Sequence, residues 1–167
     1  MVTVAIAEEK GIISRMFQKM NLSKTAKAFP NSDCHYRFIS PESQNTCDIL
    51  LLQSPTPFPA ARASFATLIN ADREIPPPKE KNSLLVTYGL NSLATVTASS
   101  IQPEQTSIHF QCCLQRSIVT ISGELLEPQE FPVFLPFFWE DAGIALGFVT
   151  LGLLLSLPPE MFRSPRF

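Results

Sequence analysis

The chain has 167 residues, of which 45% are hydrophobic and 17% charged, and its formal net charge is −2. This size suits a single domain, and the apolar content can offset the entropy of folding, which excludes a wholly disordered protein. The chain has 13 basic and 15 acidic residues, so it carries no excess of positive charge to neutralise a phosphate backbone. Nucleic acid is therefore not an expected partner.

The first half of the chain alternates buried strands with helical segments. Residues 2–6 form a short β-branched apolar run typical of a buried strand. A turn separates this run from a helix whose apolar positions share one face: Ile12, Ile13, Met16, Phe17 and Met20. Residues 21–46 are polar and irregular and predict no element. The remaining predicted elements are strands at 47–53, 66–70 and 83–88, a short helix near 60–65, and a proline-rich surface connection at 75–79.

From residue 93 onward, apolar and polar residues alternate, as they do in half-buried strands. In residues 108–114 the alternation puts His109 on the polar face, where it is expected to be solvated or to have its hydrogen bonds satisfied, and not to act as a base. Segments at 118–121 and 130–135 complete an antiparallel region. The sequence therefore predicts an α/β domain over residues 1–160, with a mostly parallel, Rossmann-like sheet, flanking helices and an added antiparallel β-ribbon, followed by a flexible tail at 161–167.

Residues 142–157 form an uncharged run that predicts a helix about 24 Å long, shorter than the roughly 30 Å hydrocarbon core of a membrane. Gly143 and Gly147 have the spacing found in membrane-helix dimers, but small residues also let a buried helix lie close to a sheet. We expect a buried helix, and a membrane anchor is the alternative.

The cysteines do not predict a metal site. Cys34, His35 and Cys47 lack a fourth ligand and the usual paired spacing of zinc ligands. Cys112 and Cys113 are neighbours on a predicted strand, so their side chains point to opposite faces. Four cysteines are too few for a disulfide scaffold, and the N-terminus shows no basic leader, so a cytoplasmic location is expected.

Several blocks of sequence carry a family resemblance. They are CDILLLQSP at residues 47–55, LINADR at 68–73, VTYGLN at 86–91, ATVTA at 94–98, and the stretch from EDAGIALG at 140–147 to LPPE at 157–160. In this order they resemble the central, ATP-binding domain of the Mur ligase family. These cytoplasmic enzymes join amino acids to the UDP-N-acetylmuramic acid precursor of peptidoglycan.

The resemblance implies a phosphate loop, Gly-Thr-x-Gly-Lys-Thr/Ser, directly after the first strand, where backbone amides, a lysine and a hydroxyl surround phosphate and magnesium. Here Gly11 matches the family, but Ile12 stands at the lysine position and Lys10 lies two residues earlier. Glu8 and Glu9 bring negative charge toward a triphosphate. The alternative interpretation is an ordinary turn between strand and helix.

Other parts of the implied nucleotide site are reduced. Asn70 and Asp72 follow a predicted strand, where α/β sheets bind ligands, although both residue types also form turns. With Lys10 and Gly11 they are predicted to be the remnant of a nucleotide site. Glu42 is the candidate remnant of the family's magnesium-binding glutamate.

The sequence therefore predicts a reduced and degenerate Mur ligase-like domain that lacks the C-terminal ligase domain. We expect no catalytic residue, no metal and no cofactor beyond a vestigial ATP/Mg site. The predicted role is that of a non-catalytic binding or regulatory protein with a protein partner, linked by resemblance to peptidoglycan precursors. The alternatives are an ATP-dependent amide ligase-like subunit completed by a partner chain, and a membrane-tethered accessory protein held by residues 142–157.

Overall fold

The computed structural model describes residues 1–8, 10–19, 36–40, 42, 46–55, 61–76, 83–136 and 141–163. The helices within these residues are α1 (Ile12–Lys19), α2 (Ala142–Leu154) and a 3-10 helix at Pro159–Phe162. The strands are β1 (Val2–Ala7), β2 (Tyr36–Ile39), β3 (Thr46–Leu52), β4 (Arg62–Asn70), β5 (Leu84–Tyr88), β6 (Val96–Pro103), β7 (Ser107–Leu114), β8 (Ile118–Val119), β9 (Leu125–Leu126) and β10 (Gln129–Pro136).

Eight of these strands form one sheet in the order β10-β7-β6-β5-β4-β3-β1-β2, and β8 and β9 form a separate antiparallel pair. From β2 to β5 all neighbours are parallel. β5 meets β6 at a single parallel pair, Tyr88 with Val96, and β6, β7 and β10 continue as an antiparallel ribbon. This architecture confirms the predicted α/β class, with its mostly parallel sheet and added ribbon.

α2 lies in the hydrophobic core, which explains why its sequence is apolar on every side. Gly143 and all residues from 145 to 154 are buried, and Phe148 packs on Phe17 of α1 with ring centroids 4.6 Å apart. The predicted buried helix is therefore confirmed. It ends at Leu154, before the two prolines, because Ser156 adopts a left-handed conformation with φ 66° and its amide donates to Leu153 O. Within the described ranges, no helix has both the length and the apolarity needed to cross a membrane.

Two parts of the N-terminal half differ from the sequence prediction. Residues 62–65 belong to β4 and not to a helix, because Arg62 and Ala63 pair in parallel with Thr46 and Cys47 of β3. The strand ladder outweighs the helix propensity of arginine and alanine. β2 lies in the segment for which no element was predicted, and it is anchored by Tyr36, whose hydroxyl donates to Leu155 O at 2.7 Å.

The C-terminal end of the described chain is packed onto α2. Met161 and Phe162 were assigned to a flexible tail, but both lie in the 3-10 helix, and Phe162 is fully buried. Gly152 makes this packing possible, since a Cβ there would lie 2.6 Å from Phe162 Cζ. The remainder of the predicted tail, residues 164–167, lies outside the described residues.

Candidate functional site

A cleft of about 360 Å³ opens at the carboxyl ends of β1, β3 and β4. The first turns of α1 and α2 border it, so the positive ends of two helix dipoles meet there. This is where open parallel sheets bind ligands. The residues that line the cleft are Glu8, Lys10, Ile12, Gln53, Ser54, Pro55, Arg73, Glu74, Asp141 and Ile144.

The N-terminus of α1 is capped by a carboxylate from the loop that precedes it. Glu8 Oε2 accepts a hydrogen bond from Ile13 N at 2.8 Å, and Glu8 Oε1 accepts from Ser14 N at 2.9 Å and from Ser14 Oγ at 2.7 Å. Gly11 makes the intervening turn, since its φ of +61° lies in a region that side chains disfavour. Two of the otherwise unpaired amides at the start of α1, those of Ile13 and Ser14, are thus satisfied internally.

The second helix is capped in the same way. Asp141 Oδ1 accepts from Gly143 N at 2.6 Å, and Asp141 Oδ2 pairs with Arg73 Nη2 at 3.0 Å. The pair joins the loop after β4 to the start of α2 across the rim of the cleft. Each helix N-terminus at the cleft therefore already holds a carboxylate of this chain.

Gln53 and Ser54, directly after β3, are the two buried polar residues of the lining. Tyr88 is fully buried, and its hydroxyl donates to Gln53 Oε1 at 2.6 Å. Burial raises the pKa of Tyr88 well above its usual range, with a smaller effect of the Glu8 carboxylate, so the hydroxyl stays protonated and keeps donating. Ser54 is 8% exposed, and its buried hydroxyl has no hydrogen-bond partner in the described part of the chain.

The four residues that the sequence assigned to a remnant nucleotide site have the following places in the structure. Lys10 lines the cleft, and Gly11 makes the turn before α1. Asn70 is buried at the end of β4, and its Oδ1 accepts from Asp72 N at 3.0 Å. Both carboxylate oxygens of Asp72 accept backbone amides of the loop after β5, from Leu90 at 2.6 Å and from the following asparagine at 2.9 Å. Asn70 and Asp72 thus make the contacts of a turn.

Sequence reasoning missed several lining residues. Gln53, Ser54, Arg73 and Glu74 were not singled out, although each lies at or shortly after the end of a predicted buried strand. The rule that parallel sheets bind ligands at the carboxyl ends of their strands was the available signal. Glu9 and Glu140 lie outside the described residues, and Glu42 is exposed and absent from the cleft lining.

The predictions for the cysteines and histidines can be compared with the structure only at the described positions. Cys34 and His35 lie outside them, and within them no three His, Cys, Asp or Glu side chains gather as metal ligands would. Cys112 is buried and Cys113 half-buried, as expected for opposite strand faces. His109 is neither solvated nor satisfied as expected: it is half-buried, its ring lies edge-on to Phe134 at 4.3 Å, and its buried Nε2 has no hydrogen-bond partner among the described residues.

Neither a protein-family model nor a curated protein sequence matches the chain. Among solved structures, MurF from Acinetobacter baumannii matches with a TM-score of 0.59 and 12% sequence identity, over 95% of this chain and 43% of that one. The chain has a Mur ligase-like fold. The same organism's UDP-N-acetylmuramoylalanyl-D-glutamyl-2,6-diaminopimelate--D-alanyl-D-alanyl ligase matches with a TM-score of 0.58 and the same identity and coverage. This Mur ligase-like chain therefore spans less than half the length of the ligases it matches.

Proposed function

We propose that this Mur ligase-like chain is a non-catalytic binding or regulatory protein of the cytoplasm that acts with a protein partner. Its link to peptidoglycan precursor metabolism rests on the family resemblance and on the likeness to MurF. In this proposal Lys10, Gly11, Asn70 and Asp72 are remnants of a nucleotide site that no longer works. The cleft remains open to another small ligand, and the unpartnered Ser54 hydroxyl supports such a role.

The observation that carries the proposal is the position of the Glu8 carboxylate. A working phosphate loop offers its helix amides, a lysine and a hydroxyl to a nucleotide phosphate. Here Ile13 N and Ser14 N already donate to Glu8, and Ile12 stands where the resemblance expects the lysine. The residues present do not fit Mg-ATP.

The negative charge of Glu8 also opposes the binding of a nucleotide phosphate. A phosphate oxygen about 4 Å from the Glu8 carboxylate would be repelled by roughly 4 kcal/mol at an effective dielectric near 20, before screening. That energy corresponds to about three orders of magnitude in affinity. Two helix dipoles offer an anion at most about 2 kcal/mol each, and both already face carboxylates of this chain.

Calorimetric titration with Mg-ATP tests the proposal. We expect no saturable heat at millimolar nucleotide, with magnesium alone as the blank. Ile12→Lys is expected to leave this result unchanged, because the Glu8 carboxylate still occupies the helix amides. Micromolar binding of Mg-ATP by the unmodified protein would refute the proposal and favour a ligase-like subunit that a partner chain completes.

A further inference from the structure

The ribbon of β6, β7 and β10 covers the hydrophobic core with one face and leaves the other face open. The covered face carries core residues such as Phe131 and Leu135 and packs on α2 and the 3-10 helix. The open face lines a groove of about 660 Å³ that shares no residue with the cleft. Its side chains stand in two cross-strand rows, one of Gln102, His109 and Phe134 and one of Ser99, Gln111 and Pro132.

Neither edge of this ribbon suits pairing with an added strand. β10 is the edge strand of the sheet, and Pro132 and Pro136 have no amide hydrogen to donate there. β6 pairs with β5 only at Val96, and further along β6 a bulge contains Ser100 in a left-handed conformation with φ 52°. Prolines and bulges are devices that keep exposed strand edges from pairing. A partner of the ribbon therefore meets its open face, not its backbone edges.

The open face has an apolar centre. His109 and Phe134 are half-buried there, with ring centroids 4.3 Å apart, and Pro132 follows on the same side of β10. The buried His109 Nε2 has no access to a partner, so this ring contributes packing surface only. Exposed amide and hydroxyl groups surround the rings. An apolar centre within a polar rim is the usual anatomy of a protein interface.

The charged groups of the groove are complementary to each other but are not joined. Glu130 and Arg163 both line it. Glu130 lies opposite Cys113 of β7, whereas Arg163 Nη1 lies 3.9 Å from Glu160 Oε1 in an exposed contact. Among the described residues, no ion pair connects Glu130 with Arg163. Because the amides and hydroxyls of the face can each donate and accept, a second copy of the same face offers a complement to every one of these groups.

We propose that two copies of this chain associate through the open faces of their ribbons about a two-fold axis, with Glu130 of each copy paired to Arg163 of the other. The two faces stack as sheets about 10 Å apart, with Phe134 and Pro132 near the centre. Three strands of eight residues give a face of roughly 14 by 26 Å. This area is at the low end for specific interfaces, so the dimer is weak and reversible. The proposal goes beyond the proposed function and uses no residue of the cleft.

Sedimentation equilibrium of the unmodified protein tests the association. From about 5 to about 500 µM, the weight-average mass should rise from that of one chain toward that of two. Glu130→Arg and Arg163→Glu should each raise the Kd of the dimer about tenfold, because each turns two attractive contacts into repulsive ones. Glu124→Arg makes the same change of charge at an exposed position outside the groove, so it should leave the Kd nearly unchanged.

An exchange of the two charges distinguishes this interface from a general effect of net charge. The double variant that carries both Glu130→Arg and Arg163→Glu should regain the Kd of the unmodified protein. An equimolar mixture of the two single variants should form a mixed dimer, although each variant alone associates poorly. Circular dichroism checks that all variants keep the native fold, which is expected because the changed side chains are exposed.

A chain that stays monomeric at about 500 µM would overturn the proposal and would leave the open face to a different protein or a small molecule. A dimer that neither single variant weakens would overturn it as well, because another surface would then hold the copies together. So would a failure of the mixed single variants to associate, since Glu130 and Arg163 would then not meet. None of these results bears on the proposed function, which the titration with Mg-ATP tests separately.

Discussion

Replacing Gly147 of α2 by alanine is expected to destabilise the protein, although the same change in an exposed helix stabilises it. A Cβ at position 147 would lie 2.9 Å from Tyr88 Cε2, 3.0 Å from its Cζ and 3.1 Å from its hydroxyl oxygen. The Tyr88 ring cannot simply move away, because it is fully buried and its hydroxyl is held by Gln53 Oε1 at 2.6 Å.

The expected magnitude follows from three opposing effects. Alanine improves helix propensity by about 1 kcal/mol relative to glycine. Overpacking of a tight core contact costs about 1–3 kcal/mol. A shift of Tyr88 that breaks its bond to Gln53 costs about 0.5–1.5 kcal/mol more. The net loss is about 0.5–3.5 kcal/mol, and Gly147→Leu should lose at least as much.

Urea denaturation followed by circular dichroism measures this loss, and a double-mutant cycle assigns it. Tyr88→Leu removes the ring from above the helix, so Gly147→Ala made in that background should cost little or should stabilise. The difference between the two backgrounds is the clash with Tyr88. An unchanged or raised stability of Gly147→Ala in the native background would refute the close packing of α2 on β5.

Two other expectations follow from the described contacts. Asp141→Ala should lower the free energy of unfolding by about 1 kcal/mol, because α2 loses its cap. Arg73→Ala should lower it by less than about 0.5 kcal/mol, because the ion pair with Asp141 is exposed. Equal losses for the two variants in urea denaturation would show that the ion pair matters more than the cap. Burial raises the pKa of all three described cysteines, that of Cys47 to about 11 and that of Cys112 further. Because Cys113 is only half-buried, iodoacetamide at about pH 8 should alkylate it before Cys47 and Cys112 in peptide mapping. Faster labelling of Cys47 would contradict this.

The sequence was most informative where a strand is a continuous apolar run or alternates strictly, although the predicted burial of β5 was wrong at Leu84 and Leu85, which are 44% and 51% exposed. β1, β3 and β5 were predicted because each is a continuous apolar run, and β7 because its burial alternates. β2 was missed because four residues in polar surroundings give no periodic signal, and only its parallel pairing with β1 defines it. The helix predicted at 60–65 was wrong for a related reason: pairing with β3 is a long-range contact that local propensity does not contain.

The candidate site was predictable only in part, because strand register assembles it. The sequence identified the negative charge of Glu8 near the expected phosphate position. It did not predict the three hydrogen bonds, which depend on the turn at Gly11 folding the carboxylate back over α1. Gln53 and Ser54 reach the same cleft because Leu52 pairs with Ala7, and Arg73 reaches it because β4 pairs with β3. None of these pairings is contained in a local motif.

The two helices that border the cleft are each capped by a carboxylate of this chain. A helix N-terminus in a cleft favours an anion by about 0.3–1 kcal/mol, and an unsatisfied cap costs about 0.5–2 kcal/mol. Glu8 and Asp141 supply both anions from within the chain, so α1 and α2 are stabilised whether or not a ligand is present. A tethered carboxylate acts at an effective concentration of roughly millimolar or above, and any free phosphate must compete with it. Glu8 therefore stabilises the start of α1 and, because it accepts from the Ile13 and Ser14 amides, leaves fewer donors for an anion that enters the cleft.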